Sequence, residues 1–187
     1  MEWPDRNGRE VFEISGFIEA YARLPGSPKL SIVSKGDKPD FVVREATTGQ
    51  EFGVELTAVY INDRSVPDVH MVDNEPDEFN KEQFEKYQLR LISAIRDKVG
   101  KARRGYVVSR PLILSIYVNE YIGIHLGQPE LDALVSCYEP LFDDMAPFSE
   151  VVFWALANDE VFRVRPSSHD AQPVVAGGAA RRSRAAP

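Results

Sequence analysis

The chain has 187 residues, 43% hydrophobic and 27% charged, a size and composition that suit one soluble domain with a real hydrophobic core. Lys and Arg number 22 against 29 Asp and Glu, a net charge of −7, which argues against a tight, non-specific polyanion binder. No apolar run approaches the roughly 18 residues of a membrane span. The polar start Met1-Glu2-Trp3-Pro4-Asp5 is unlike a secretory signal, and the lone cysteine, Cys137, has no internal disulfide partner. Together these point to a reducing, cytoplasmic location.

In chain order, Asn7 to about Leu24 reads as a helix. Val11, Ile14, Ile18 and Tyr21 form its apolar stripe, Phe17 widens it, and Pro25-Gly26 ends it. Lys29 to Ser34 reads as a short strand. Two extended runs follow, Asp40-Phe41-Val42-Val43-Arg44 and Phe52 to Val59, joined by the turn-forming Thr47-Thr48-Gly49-Gln50. Asn62 to Glu78 is a long acidic loop. From Asp77 or Glu78 to about Lys101 the periodicity predicts a helix that stops near Gly105. Leu112 to Val118 is an apolar, β-rich run expected as a buried strand, and Pro129 to Leu141 a helix with proline at its start. Glu150 to Leu156 and Val161 to Arg165 pair around Asn158-Asp159. The order predicts an α/β protein with a mixed sheet between helices, a single domain over 1–166. An Arg- and Ala-rich tail, 167–187, has too little apolar content to fold.

The hairpin carries the chemistry. If Ala46 to Gly49 form a four-residue loop, Glu45 pairs with Gln50, and counting back sets Asp40 opposite Glu55. Directly paired residues project to one face with Cβ atoms about 4.5–5.5 Å apart. Two carboxylates so close repel unless they share a proton or a cation, and a hard divalent ion such as Mg²⁺ takes oxygen ligands of this kind.

Lys38-Pro39-Asp40-Phe41 on one strand and Gly53-Val54-Glu55-Leu56-Thr57 on the next, between two amphipathic helices, resemble the PD-(D/E)xK nuclease superfamily over roughly Asn7 to Val118. The resemblance implies a restriction-endonuclease-like αβββαβ core and a Mg²⁺-dependent (or Mn²⁺-dependent) nuclease. Nucleic acid, DNA in the first place, would be its substrate, and a homodimer is a form many such nucleases take. It also implies that Asp40, Glu55 and the Leu56 carbonyl hold the metal. Thr57 stands where the family usually has lysine. That departure leaves open a catalytically inactive module on the same scaffold, binding protein or nucleic acid, or an unrelated α/β protein with one acid turned outward.

The second helix offers a replacement lysine. At 100° per residue, Phe84, Leu91, Ile92, Ile95, Val99 and Ala102 share a face, with Gln88 near its middle as an accessory polar candidate. Lys98 lies at the edge of that face and looks towards the sheet, either as the catalytic lysine or as a snorkelling side chain. Lys38, opposite Thr57 in the same register, is the strand alternative. The active reading requires one of them within roughly 4–6 Å of both acids. The family's first-helix acid matches Glu10, which also has capping-box spacing after Asn7; Glu13 and Glu19 fall on other faces of the wheel. The basic run Lys98, Lys101, Arg103, Arg104 is either a local patch for nucleic acid, which the net charge does not exclude, or a set of cations that complement a helix C-terminus. His70, His125 and His169 show no ligand spacing, the acids from Asp68 to Glu78 read as a solvated loop, and Cys137, Phe153 and Trp154 read as packing residues.

Overall fold

The computed structural model describes residues 6–59, 81–106, 109–118, 127–155 and 160–164, with residues 6 and 81–84 as backbone only. The three histidines, the acidic loop, the Asn158-Asp159 turn, the onset of the second helix and the tail lie outside the described residues.

A hydrogen-bonded loop sets the hairpin register. The Glu45 N–H donates to the Gln50 carbonyl at 2.8 Å, and the Gly49 N–H donates back to the Glu45 carbonyl at 3.0 Å. Gly49 has φ +73°, the left-handed region glycine enters without a Cβ penalty. The Thr48 hydroxyl donates to the Glu45 carboxylate at 2.7 Å and accepts the Gln50 N–H at 3.2 Å. Strands β2 (Phe41–Glu45) and β3 (Glu51–Val59) therefore pair antiparallel with Phe41 opposite Val54. One step further along, the same count sets Asp40 against Glu55, as the sequence predicts.

The remaining elements are α1 (Arg6–Tyr21), β1 (Leu30–Lys35), α2 (Lys81–Gly105), β4 (Leu112–Val118), α3 (Gln128–Cys137), α4 (Glu139–Asp143), β5 (Phe148–Trp154) and β6 (Val161–Val164). The protein is α/β, with a six-stranded mixed sheet in the order β1-β2-β3-β4-β5-β6, flanked by helices. β3, β4 and β5 run parallel, and the other neighbours are antiparallel. A parallel neighbour needs a crossover, and same-handed crossovers in one direction place their helices on one face. Accordingly α2, α3 and α4 pack on one face, through Leu91, Ile95, Leu131 and Phe142 against Leu114, Ile116 and Phe153. α1 covers the other, through Ile14 and Phe17 with Val54, Leu56, Val152 and Trp154. Strand alternation then assigns Glu55 and Thr57 to the α2 side of β3. No described helix is long and apolar enough to cross a membrane.

The structure corrects four local expectations. α1 ends at Tyr21 rather than Leu24: the Arg23 and Leu24 N–H groups turn back to Ala20 and Tyr21 carbonyls, three residues away, before Gly26 at φ +72°. Its core face is also rotated. Val11 is 50% exposed, while Ile14, Phe17, Ala20, Tyr21 and Leu24 are buried. The helix expected over Pro129–Leu141 is two helices, α3 and α4, hinged at Tyr138. Pro140 has no N–H to continue the ladder, and its ring would strike the carbonyl four residues back. Cys137 at the end of α3 is exposed, not core, because the break ends the buried stripe at Leu134.

Candidate functional site

Lys38, Pro39 and Asp40 lie in the bend just before β2 rather than on the strand itself as expected, and β3 runs on past Asp40. With no strand partner left for it, the Leu56 N–H donates to Asp40 Oδ2 at 2.8 Å, so the carboxylate caps the open edge. The N–H and C=O of one strand residue face the same edge, so the Leu56 carbonyl is turned to this edge as well. Gly53 lets the preceding turn lie on the sheet. A Cβ there would fall 2.5 Å from Leu112 Cδ2 and 2.7 Å from Pro39 Cγ, closer than atoms can pack.

Lys98 reaches the acids from α2. Its Nζ is 2.7 Å from Glu55 Oε1 and 3.9 Å from Asp40 Oδ2. The ammonium is thus the shared cation of a carboxylate pair, Glu55 on β3 and Asp40 in the bend that leads into β2. The Glu55 side chain is only 5% exposed, against 18% for Asp40 and 24% for Lys98, so solvent and small molecules approach from the Asp40–Lys98 side. Burial pushes the Asp40 carboxyl above its ordinary value and Glu55 adds to this, while the Leu56 N–H and Lys98 pull it back.

One polar atom of this face remains unsatisfied: Thr57 Oγ1 is buried and without a hydrogen-bond partner. The Tyr106 hydroxyl, just beyond α2, faces the Glu55 carboxylate. Burial and that carboxylate hold it well above the ordinary phenol range. Nothing in the local sequence marks Tyr106, because the long-range β3–α2 packing brings it here.

The first helix contributes differently from the expectation. Glu10 pairs with Lys35 at 2.7 Å on the edge strand. Asn7 lies inside α1, and its Oδ1 accepts a hydrogen bond from Lys35, so no capping box forms. Glu13, assigned to another face by the wheel, is the buried acid of α1 at 9% exposure. Burial raises its pKa from 4.5 to about 7, against the pull of Arg9; Asp40 and Glu10 push it further up and Lys98 opposes them. The signal was legible: Glu10, Glu13, Ile14, Phe17, Tyr21 and Leu24 follow three- and four-residue spacing, one arc over from Val11.

Of the other candidates, Lys38 is exposed with its Nζ against the Gly105 backbone, 3.6 Å from where a Cβ would sit, and makes no ion pair with either acid. Gln88 is half-buried on α2. It lies ten residues from Lys98, about 15 Å along the helix axis, and stays apart from the acids. Thr57 shares the face of Glu55 but brings no charge.

Among the described residues, no group of three or more His, Cys, Asp or Glu side chains is placed to hold a metal ion. The donors at this site are two carboxylates and a main-chain carbonyl. That set fits a hard divalent cation, which prefers oxygen and retains several waters. Set against known proteins, the chain matches no family model, no curated protein and no solved structure.

Proposed function

We propose that the protein is a Mg²⁺-dependent nuclease that hydrolyses phosphodiester bonds of DNA, built on a PD-(D/E)xK-like core. The observation that supports this most directly is Lys98 Nζ at 2.7 Å from Glu55 and 3.9 Å from Asp40. On this reading Lys98, from α2, would serve in place of the motif lysine that Thr57 cannot supply.

Asp40, Glu55 and the Leu56 carbonyl would hold the cation, with Mn²⁺ able to substitute for Mg²⁺. When bound, the ion supplies charge neutralisation for the phosphodiester and a lowered pKa for the attacking water. The residues do the rest. The Leu56 N–H fixes the direction of the Asp40 carboxylate. Lys98 offers a positive charge to the non-bridging phosphate oxygens as negative charge builds up on them. Asp40→Asn and Glu55→Gln are each expected to abolish Mg²⁺-dependent cleavage of DNA while leaving the far-ultraviolet circular dichroism unchanged. Cleavage that survives both substitutions ends the assignment.

A second reading is a non-catalytic module on the same scaffold, favoured by the neutral, buried Thr57 and the net charge of −7. Calorimetric titration with Mg²⁺ or Mn²⁺ separates the two. No heat at millimolar metal, together with no nuclease activity, selects the module.

A further inference from the structure

The Lys98 ammonium stands where a cation shared by Asp40 and Glu55 would stand. A divalent ion coordinates carboxylate oxygen at roughly 2 Å, and Lys98 holds the same carboxylates at 2.7 and 3.9 Å. Both charges would therefore crowd one small, half-closed space.

We propose that Lys98 is a resident counter-cation which a divalent metal displaces. In the metal-free protein it neutralises the carboxylate pair. When metal binds, its ammonium leaves Glu55 for the solvent side, where an incoming phosphate oxygen would find it. The inference rests on the metal-dependent reading above and adds an order of events to it.

Two carboxylates with one ammonium leave a net charge of −1, and with a divalent ion alone they are neutral. With both cations the site holds +1 around a carboxylate that is only 5% exposed, and uncompensated buried charge is costly. The side chains differ in their freedom to respond. Asp40 is tied to the Leu56 N–H at 2.8 Å. Glu55 is only 5% exposed and faces the Tyr106 hydroxyl. Lys98 has a flexible four-carbon stem, and at 24% exposure it has open solvent on one side. Lys98 is the group able to yield.

The test measures Lys98 itself, with the intact protein and Mn²⁺ alone as probe. Brief acylation with a small amine-reactive reagent, mapped by mass spectrometry, should modify Lys98 slowly without metal and several-fold faster at saturating Mn²⁺. Isothermal titration should show that Lys98→Gln binds Mn²⁺ roughly tenfold or more tightly than the unaltered chain, because no ammonium then has to be pulled away from the carboxylates before the metal can bind. Lys98→Arg, which keeps the charge, should not gain affinity. Should Lys98→Gln not fold, acylation of the unaltered protein and the arginine variant decide the matter. Lys98 reactivity unchanged by bound Mn²⁺, or no gain in affinity for Lys98→Gln, overturns displacement while leaving the metal site intact. Failure of the unaltered protein and of Lys98→Gln to bind Mn²⁺ at millimolar concentration overturns the metal-dependent reading as well.

Discussion

Burial decides the chemistry of Glu13. Its carboxyl, lifted to about 7 from 4.5, holds a proton in the native state under conditions where the unfolded chain has released it. The native state then binds more protons between those values, so stability falls as pH rises through that interval. Below about pH 4.5 the contribution is fully present, and above about pH 7 it is lost. Glu13→Gln removes the ionisation. Its urea-derived stability relative to the unaltered protein should therefore grow from pH 5 to pH 7 and level off above. The total gain should be of order 1–3 kcal/mol, since each pKa unit is worth about 1.4 kcal/mol. A stability difference independent of pH contradicts the assignment. Residue-level legibility was uneven here. The Asp40–Glu55 opposition follows from counting across a short loop, because Gly49 and Thr48 leave that loop one good geometry. Glu13 was misplaced because its stripe also contains alanine and charge, and Val11 and Ile18 offered an equally apolar arc.

At the scale of elements, the distance between α1 and the sheet is set by Gly16. A Cβ there would lie 2.6 Å from Trp154 Cη2 and Cζ3. Trp154 is fully buried and donates its indole N–H to Ser115 Oγ at 2.9 Å, so the ring has little freedom to retreat. Gly16→Ala should therefore destabilise the protein by about 1–3 kcal/mol, as overpacking usually does, despite the better helix propensity of alanine. Urea denaturation gives the number, and the near-ultraviolet spectrum of Trp154 reports the shifted ring. A neutral or stabilising effect would show that α1 is loosely docked. α2 behaved as its periodicity predicts, since Leu91, Ile92, Ile95, Val99 and Ala102 are all buried and Lys98 sits at the edge of that stripe. A 25-residue helix repeats its signal enough times to define one face.

Across the whole molecule, an ionic clasp ties the start of the chain to its last described strand. The Tyr21 hydroxyl donates to Glu150 Oε1 at 2.6 Å, and Arg163 Nε lies 3.1 Å from Glu150 Oε2. The Arg163 guanidinium also stacks 5.3 Å from the Tyr21 ring centroid and donates to the Ser27 hydroxyl. Burial and Glu150 push the Tyr21 hydroxyl up to about 12. α1, the turn after it, β5 and β6 are thereby linked across sequence separations of 129 and 136 residues. Arg163→Met leaves Glu150 buried beside a tyrosine oxygen with no cation, and should cost about 3 kcal/mol or more. Glu150→Gln in the same background should recover part of the loss. Additive losses in the two variants would mean the groups do not act as a unit.

The sequence by itself determined what repeats or closes locally: the hairpin register, the seven-residue buried β4, the apolar face of α2 and hence the order of an α/β domain. Hydrophobic period and turn chemistry act over a few residues and need no knowledge of the rest of the chain. Only the tertiary structure decided which arc of α1 meets the sheet, that Glu13 and Tyr106 come near the carboxylates, that α3 breaks before Pro140, and that Lys98 rather than Lys38 reaches both acids. Those outcomes depend on distances between segments far apart in sequence, where packing volume and the cost of burying charge choose among faces that periodicity leaves equivalent.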